Sequence, residues 1–320
     1  MRTLSCMPSS SPVGSPDLSL FTRENLVAWC IVPYDSRRRG PRERAEMLAR
    51  LGVRRLAWDW RPAHVTQLDA ELDALAEHGI ELTAIWLPAF LPADDGALGR
   101  LDPDVTRILD ILRDRDAATQ LWTSTELGTP GPFTALPAEA HRHMVERTAG
   151  HLGPLADRAN DDGHTIALYN HLGWAGEPEN LLEVLEVLVG RGLERSGLVY
   201  VQHHGHAHVD RFASLLETMR PSLLALGVNG MLPDAHWGDG KVHPVGRGPR
   251  DVELAQTIAT SGWSGPLVTI GHTMDDVEER LLDNLEGIEW ITEQLAAAAG
   301  AASAPIEPPS ARIPHPRWPH

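Results

Sequence analysis

A dense group of histidines is the clearest chemical feature of this sequence. Four of its 16 histidines fall within residues 203–208, directly after an apolar run, and His171 and His272 each follow another apolar run. Imidazole changes charge near neutral pH, so such a group can supply general acid and base catalysis or bind a metal. The alternative is a polar loop in which one histidine is held by hydrogen bonds. The candidates for catalysis are His171, His204, His206 and His272.

Other side chains at similar positions suit the binding of a polyhydroxylated ligand. Arg61, Asn170 and Asn229 follow apolar runs, and their polar groups could bond hydroxyls. Trp86 and Trp174 carry ring faces that suit the C–H faces of a sugar. Large aromatic side chains also commonly fill protein cores, so packing is the alternative for each tryptophan. We predict substrate binding by these five residues.

Eight short apolar runs alternate with longer amphipathic stretches along most of the chain. Runs that are apolar throughout are typical of parallel strands covered on both faces. The predicted strands are Leu26–Val32, Arg54–Trp58, Leu82–Leu87, Gln120–Thr123, Thr165–Tyr169, Leu198–Gln202, Leu223–Val228 and Leu267–Ile270.

The stretches between these runs have the apolar spacing of helices that cover a sheet. Glycine accepts the left-handed backbone conformation that ends many helices. The glycines predicted to end helices are Gly52, Gly79, Gly163, Gly192 and Gly262. The pattern therefore predicts a (β/α)8 TIM barrel, in which catalytic residues gather at the carboxyl ends of the strands. A doubly wound open sheet is the alternative, but no glycine-rich phosphate-binding motif follows the first run.

Composition restricts the class of partner. The chain has 320 residues and a net charge of −16, which argues against nucleic acid as the main partner. No run is long and apolar enough for a membrane helix, so we expect no membrane partner. The two cysteines, Cys6 and Cys30, do not form a disulfide framework, which favours a reducing, cytoplasmic location. Lys241 is the only lysine, so Schiff-base chemistry would have to use it.

The two ends of the sequence differ in composition from the middle. Residues 1–24 contain scattered serine and proline, and residues 299–320 pass from alanine-rich into proline-rich sequence. Such segments do not carry a helical or strand periodicity. We therefore predict a disordered leader over 1–24, a barrel over 25–298 and a disordered proline-rich tail over 299–320, with both ends outside the fold.

The barrel region resembles the xylose-isomerase-like barrels of the sugar phosphate isomerase and epimerase type, from about Asn25 to Leu295. The stretch from Asp251 to His272 is especially similar to the final helix–strand unit of that family. The stretches that carry the resemblance are NLVAWCIVPYD, LAWDWRP, HGIELTAIWLP, IALYNHLGWAGEPENL, GLVYVQHHGHAHVDRF, LALGVNGM, HPVGRG, SGWSGPLVTIGH and DDVEERLLDNLEGIEW.

The resemblance implies a divalent metal held by two glutamates, an aspartate and a histidine at the ends of strands five to eight. The corresponding positions fall near Tyr169, Val201, Gly227 and either Gly271 or His272, so the carboxylates are missing here. Only His204 matches a site residue of the family. Either a histidine-rich site holds another metal, since imidazole suits zinc and other transition ions, or the site works without metal. The second arrangement is favoured, because a site of three or more imidazoles with no carboxylate is geometrically demanding.

Three functions are consistent with these observations. The resemblance implies a carbohydrate isomerase or epimerase that moves a proton next to a carbonyl of a carbohydrate or sugar phosphate. A lyase or hydrolase of an oxidised sugar on the same barrel is the first alternative. A carbohydrate-binding barrel without catalysis is the second, because fold alone does not determine function. The sequence does not indicate the cofactor or the oligomeric state.

Overall fold

Eight parallel strands close into a barrel in the order in which they occur along the chain. The computed structural model describes residues 15–125, 133–232, 235, 237–300, 303 and 307–319. The barrel closes where Leu26 of the first strand pairs with Leu267 of the last. The strands are β1 (Leu26–Trp29), β2 (Arg55–Trp58), β3 (Glu81–Pro88), β4 (Gln120–Ser124), β5 (Thr165–Tyr169), β6 (Ser196–Val201), β7 (Leu223–Val228) and β8 (Leu267–Ile270).

Helices connect the strands and cover the outside of the barrel. Their apolar faces pack on the outward side chains of the strands in one continuous core. None of the described helices is both long and apolar enough to span a membrane. The α-helices are α1 (Pro41–Leu51), α2 (Pro62–Val65), α3 (Leu68–Glu77), α4 (Pro103–Asp114), α5 (Ala138–Asp162), α6 (Pro178–Gly190), α7 (Phe212–Met219), α8 (Asp251–Thr260) and α9 (Val277–Ala298).

The inside of the barrel is filled by side chains of alternate strand residues. Leu26 of β1 belongs to the outer core, whereas its neighbour Val27 belongs to the inner cluster, as the period of two in a strand requires. Trp29, Trp122 and Tyr169 meet edge to face inside the barrel, with ring centroids 5.0 Å and 5.1 Å from Trp29. These three rings form a solid layer beneath the carboxyl ends of the strands.

The structure confirms the eight predicted strands; β5, β7 and β8 keep their predicted bounds, and the other five shift at one or both ends. The first strand ends at Trp29 rather than Val32, because Cys30 has a φ of 55° and turns the chain. The sixth strand covers Ser196–Val201, and a 3-10 turn begins at Gln202. The five glycines predicted to end helices all have positive φ, among them Gly52 at 76° after α1 and Gly163 at 77° after α5.

The predicted boundary of the leader is wrong for residues 17–24. Leu18–Phe21 forms a short 3-10 turn in which Leu20 and Phe21 are buried in the outer core. The backbone amide of Asp17 donates to the carbonyl of Ala259 at the end of α8. Two apolar residues are too few for a periodic pattern, which is why the sequence did not indicate this contact. Residues 1–14 lie outside the described part of the chain.

The prediction that the proline-rich tail lies outside the fold is also wrong for residues 307–319, here called the C-terminal segment. Ile313 and Trp318 within it are buried. Asp283 of α9 accepts hydrogen bonds from the backbone amides of Arg312 and Ile313. Asp275 binds the backbone and the guanidinium of Arg317. Long-range ion pairs and two apolar side chains therefore hold a segment whose composition alone indicates disorder.

Candidate active site

The strand ends surround one cavity of about 580 Å³ at the carboxyl-terminal mouth of the barrel. Its floor is the layer of rings inside the barrel, and residues that follow β1, β2, β5, β6 and β8 form its walls. The lining residues that bear on function are Trp29, Cys30, Tyr34, Asp59, Arg61, Trp86, Tyr169, His171, His203, His204, Trp237, His272 and Trp318. Five of the nine predicted site residues are in this set: Arg61, Trp86, His171, His204 and His272.

Four histidines from three strand ends meet in the cavity. The ring centroids of His203 and His204 lie 3.9 Å apart, and those of His171 and His204 lie 4.5 Å apart. His272 follows β8, and its ring centroid is 6.0 Å from that of His203. The 3-10 turn that begins at Gln202 turns both His203 and His204 towards the cavity. The cluster thus combines imidazoles from opposite sides of the closed barrel.

Burial keeps the imidazoles of His203, His204 and His272 neutral. It lowers the pKa of His203, His204 and His272 well below the usual histidine value, because the charged form loses its hydration. Positive charge on Lys241 and partial charge on neighbouring histidines lower these pKa values further. At neutral pH each ring therefore has one nitrogen that donates and one that accepts. Nδ1 of His203 and Nδ1 of His272 have no hydrogen-bond partner among the described residues.

Lys241 lies beside the histidine cluster. Its side chain is fully buried, and its Nζ is 3.0 Å from Nδ1 of His204. The rings of Trp237 and Trp318 lie against the same ammonium group, with centroids 4.8 Å and 5.2 Å from Nζ. Burial lowers the pKa of Lys241 to about 7. This residue is thus an amine that changes charge near neutral pH, in contact with a histidine of the cavity.

A second polar group lies on the opposite wall. The guanidinium of Arg61 donates to the hydroxyl of Tyr34 and lies 5.0 Å from its ring centroid. It also lies 5.9 Å from the ring of Trp86, whose Nε1 donates to Oγ of Ser124. Asp59, which lines the cavity between them, is buried, and burial raises the pKa of its carboxyl to about 6. This wall offers a cation, a phenol and an acid.

Four of the predicted site residues do not line the cavity. His206 is buried, and its two ring nitrogens lie 3.1 Å from the carbonyl oxygens of Leu232 and Lys241. It thereby holds the loop after β7 against the loop after β6. The residue follows the sequence pattern of the cluster, but it begins the next 3-10 turn, and its ring contacts these carbonyls and does not line the cavity. The prediction of a catalytic role for His206 does not agree with this position.

The other three residues bind protein groups. Asn170 bonds both the amide and the carbonyl of Val201, so it joins β5 to β6. The side-chain amide of Asn229 donates to the carbonyl of Gly230 within the loop after β7. Nε1 of Trp174 donates to Nδ1 of His141 on α5. Each follows a strand as predicted, but none faces the cavity.

Several cavity residues were not among the predicted site residues. His203 belongs to the histidine-rich run, and Tyr34 and Asp59 follow β1 and β2, so strand-end position alone could have selected them. Lys241, which lies behind the cavity wall, stood out in the sequence only as the single lysine, and Trp318 had no comparable signal. One lies in a loop without periodicity and the other in a proline-rich segment, and only the folded chain brings them to the mouth.

The residues present do not fit the divalent metal that the family resemblance implies. Tyr169, Val201, Gly227 and Gly271 occupy the strand-end positions where carboxylate and imidazole ligands would be needed. Across the part of the chain that the structure describes, no three histidine, cysteine or acidic side chains are grouped so as to hold a metal ion. The imidazoles in the cavity pack against one another through their rings instead.

Comparisons with known proteins identify the fold. No family model matches the sequence, and no curated protein matches it. Among solved structures, YcjR from E. coli, a 3-keto-D-glucoside 4-epimerase in its apo form, superposes with a TM-score of 0.61 at 14% identity. The match covers 84% of this chain and 98% of that one.

Two further structures give similar matches at 17% identity. D-Psicose 3-epimerase from Clostridium cellulolyticum H10, crystallised with D-tagatose, has a TM-score of 0.52 over 86% of this chain and 96% of its own. A xylose isomerase domain protein from Alicyclobacillus acidocaldarius has a TM-score of 0.53 over 87% and 99%. At identities this low, the superpositions establish the fold of the chain but not its activity. The chain has the xylose-isomerase-like (β/α)8 barrel fold.

Proposed function

We propose that this protein is an isomerase- or epimerase-like enzyme that moves a proton at the carbon next to a carbonyl group of a carbohydrate. The observation that carries the proposal is the meeting of four imidazoles, His171, His203, His204 and His272, in one cavity at the mouth of the barrel. Sites of this kind in TIM barrels are where catalytic residues lie.

The shape and lining of the cavity suit a sugar. Its volume of about 580 Å³ is within the usual range for small-molecule sites. Trp29, Trp86 and Trp318 offer ring faces for the C–H faces of the ligand, while imidazole nitrogens and the Arg61 guanidinium can bond its hydroxyls. Arg61 can also pair with a phosphate or carboxylate group on the ligand.

Neutral imidazoles suit proton transfer beside a carbonyl. A ring with a free nitrogen can accept the proton from carbon, and a second ring can donate a hydrogen bond to the carbonyl oxygen as negative charge develops there. The electron pair of the C–H bond moves into an enediol, and return of a proton to the same carbon or its neighbour gives an epimer or an isomer. We assign the base to His204, and hydrogen-bond donation to the carbonyl to His272 or His171.

The similar structures favour a ketone substrate. Two of them are a 3-keto-D-glucoside 4-epimerase and a D-psicose 3-epimerase crystallised with D-tagatose. In both substrate classes an acidic C–H bond lies beside a ketone. We therefore expect keto sugars, free or phosphorylated, to be processed before aldoses.

Proton NMR in deuterated water tests the proposal. The purified protein is treated with chelator and incubated with free, phosphorylated and keto sugars. We expect deuterium to replace hydrogen at the carbon next to a carbonyl, with a new epimer or isomer accumulating. His204→Ala should slow this exchange about 10²–10⁴-fold, the usual contribution of a general base. His78→Ala, on α3, should not change it.

Other results would contradict the proposal in distinct ways. Cleavage of the carbon skeleton or loss of water would identify a lyase or hydrolase. Measurable binding of sugars without any exchange would identify a binding protein. Exchange that His204→Ala leaves unchanged would place the base elsewhere.

A further inference from the structure

The only lysine of the chain lies one hydrogen bond away from the substrate cavity. Lys241 does not itself line the cavity, whereas His204, whose Nδ1 is 3.0 Å from the lysine Nζ, does. A sugar in the cavity therefore meets the imidazole of His204 and not the amine. The side chain of Lys241 is fully buried, so water does not reach the amine either.

The remaining surroundings of the amine are aromatic. Within the described ranges, no carboxylate forms a salt bridge with Lys241, although the buried Arg39 and Arg44 each have such a partner. The rings of Trp237 and Trp318 lie against it. Among the described residues, His204 is the one that forms a hydrogen bond with the side chain of Lys241. A buried lysine without an acid partner favours the uncharged amine, which can accept a proton.

We propose that Lys241 is a positioning residue that exchanges protons with the substrate through His204. This inference rests on the proposed function and concerns the same site. When Nε2 of His204 takes the proton from carbon, the C–H bond breaks and its electron pair enters the enediolate. The proton on Nδ1 of His204 passes to the amine of Lys241. In the return step the ammonium gives a proton back to Nδ1, and Nε2 delivers a proton to carbon.

The pKa values of His204 and Lys241 fit this proton transfer. Burial and the neighbouring positive groups keep the pKa of His204 well below the usual value, so the imidazole alone holds a proton poorly. Burial places the pKa of Lys241 at about 7, so the amine can hold or release the proton at neutral pH. The titratable and charged groups described around the cavity include Cys30, Tyr34, Asp59, Arg61, Tyr169, His171, His203, His206 and His272. The buried Arg280 also lies close, because its Nη2 donates to the carbonyl of Val242, the residue after Lys241.

A single lysine permits a direct measurement that needs no substrate. Protein grown with ¹⁵N-labelled lysine gives one Nζ signal, whose chemical shift is followed with pH. We expect a midpoint near pH 7 that moves in the His204→Gln variant and stays in place in His78→Gln. A midpoint near the ordinary lysine value of about 10.4, unchanged by His204→Gln, would overturn the proposal.

The deuterium exchange reaction supplies the second measurement. Lys241→Met and Lys241→Arg should both slow exchange about 10²–10⁴-fold, because methionine cannot take a proton and arginine does not release one. The wild-type rate should rise with pH through about 7 as the amine loses its proton, and Lys241→Met should lose this rise. The double variant Lys241→Met/His204→Gln should be no slower than His204→Gln alone, since the two residues act as one unit.

Circular dichroism and melting temperature show whether each variant is folded. If Lys241→Met destabilises the protein but keeps the pH profile, the lysine is structural and the proposal is wrong. If borohydride attaches a sugar to Lys241, the amine reacts with substrate directly, which also contradicts the relay. If the lysine midpoint depends on His204 but no sugar undergoes deuterium exchange, both the proposed function and the proton transfer through Lys241 are wrong. If sugars undergo exchange but the lysine midpoint does not depend on His204, only the proton transfer through Lys241 is wrong.

Discussion

Three imidazoles at the mouth of the barrel stay uncharged at a pH where free histidine begins to take up protons. Burial lowers the pKa of His203, His204 and His272 in the folded chain, while the unfolded chain titrates near the usual value of about 6.5. Below that value the unfolded state binds more protons than the folded state. The contribution of these three histidines to the free energy of unfolding therefore falls as the pH falls below about 6.5.

Replacing one of these histidines should reduce this dependence. One proton bound only by the unfolded state contributes a slope of about 1.4 kcal/mol per pH unit. We expect urea unfolding of His203→Gln to depend less steeply on pH between 5 and 6.5 than that of the wild-type protein, by up to this amount. His203 is a suitable choice because it is 1% exposed.

Comparing His203→Gln with the wild-type protein separates the effect of His203 on the pH dependence of stability from the effect of Asp59 on the opposite wall. The raised pKa of Asp59, about 6, has the opposite effect, because between about pH 3.9 and 6 the folded state holds the extra proton. That contribution is common to both proteins and cancels in the difference. His78→Gln serves as the control, and an unchanged slope in His203→Gln would show that His203 is protonated in the folded protein.

The sequence could predict the neighbourhood of the site but not each side chain's direction. His204 and His206 are two residues apart in the same histidine-rich run, yet one lines the cavity and the other fastens a loop. In a strand both would share a face, but this run forms 3-10 turns. Direction in such turns depends on contacts with distant loops, which local sequence does not contain.

Among the helices, α1 and α3 are joined by a buried ion pair. Nε and Nη2 of Arg44 lie 3.0 Å and 3.1 Å from the two carboxylate oxygens of Glu71, and both side chains are almost fully buried. Nη1 of Arg44 also donates to the carbonyl of Arg39. The pair fixes how two neighbouring helices lie on the barrel.

Removing one partner should leave a charge buried alone. We expect Glu71→Ala to lower the free energy of unfolding by about 3–5 kcal/mol. The control is Glu46→Ala, which breaks an exposed pair with Arg42 on α1 and should cost about 0–1 kcal/mol. Urea unfolding of both variants provides the measurement, and equal losses would contradict the role given to the buried pair.

The elements themselves were largely predictable. Each strand has β-forming apolar residues, and glycines such as Gly163 stop helices through a backbone conformation that other residues rarely adopt. Val65, Leu68, Leu72 and Leu75 have the apolar spacing of one continuous helix, but the structure divides this stretch into α2 and α3 at Thr66 and Gln67. A repeating pattern continues across such an interruption, so sequence alone does not reveal it.

For the whole molecule, the C-terminal segment is the largest departure from expectation. Trp318 stacks near His272, with ring centroids 4.6 Å apart, and forms part of the cavity wall. Composition could not reveal this, because the segment is held by partners such as Asp275 and Asp283 that lie some 30 to 40 residues earlier in the chain. The predicted barrel was correct, whereas the structure that completes its mouth was not foreseen.

Deleting residues 303–320 should therefore affect both stability and binding. Burial of Ile313 and Trp318 stabilises the fold by about 1.5–3 kcal/mol each, less the entropy of ordering the segment. We expect the melting temperature to fall by at least about 5 °C, which is worth about 2 kcal/mol in a chain of this size, and the affinity for sugars to weaken. Glu307→Ala, exposed in the same segment, should change neither. An unchanged melting temperature after the deletion would mean that the segment does not pack in solution.

The position of Trp318 and Pro319 at the rim has a practical consequence for handling the protein. Both residues line the cavity, so the last described part of the chain forms part of its wall. We therefore expect an affinity tag, a fluorescent fusion or a linker to a sensor chip attached at the carboxyl-terminal side to crowd the cavity and to distort measured rates and affinities. Residues 17–21 contact α9 and the end of α8 and do not line the cavity, so we expect attachment at the amino-terminal side to disturb these measurements less.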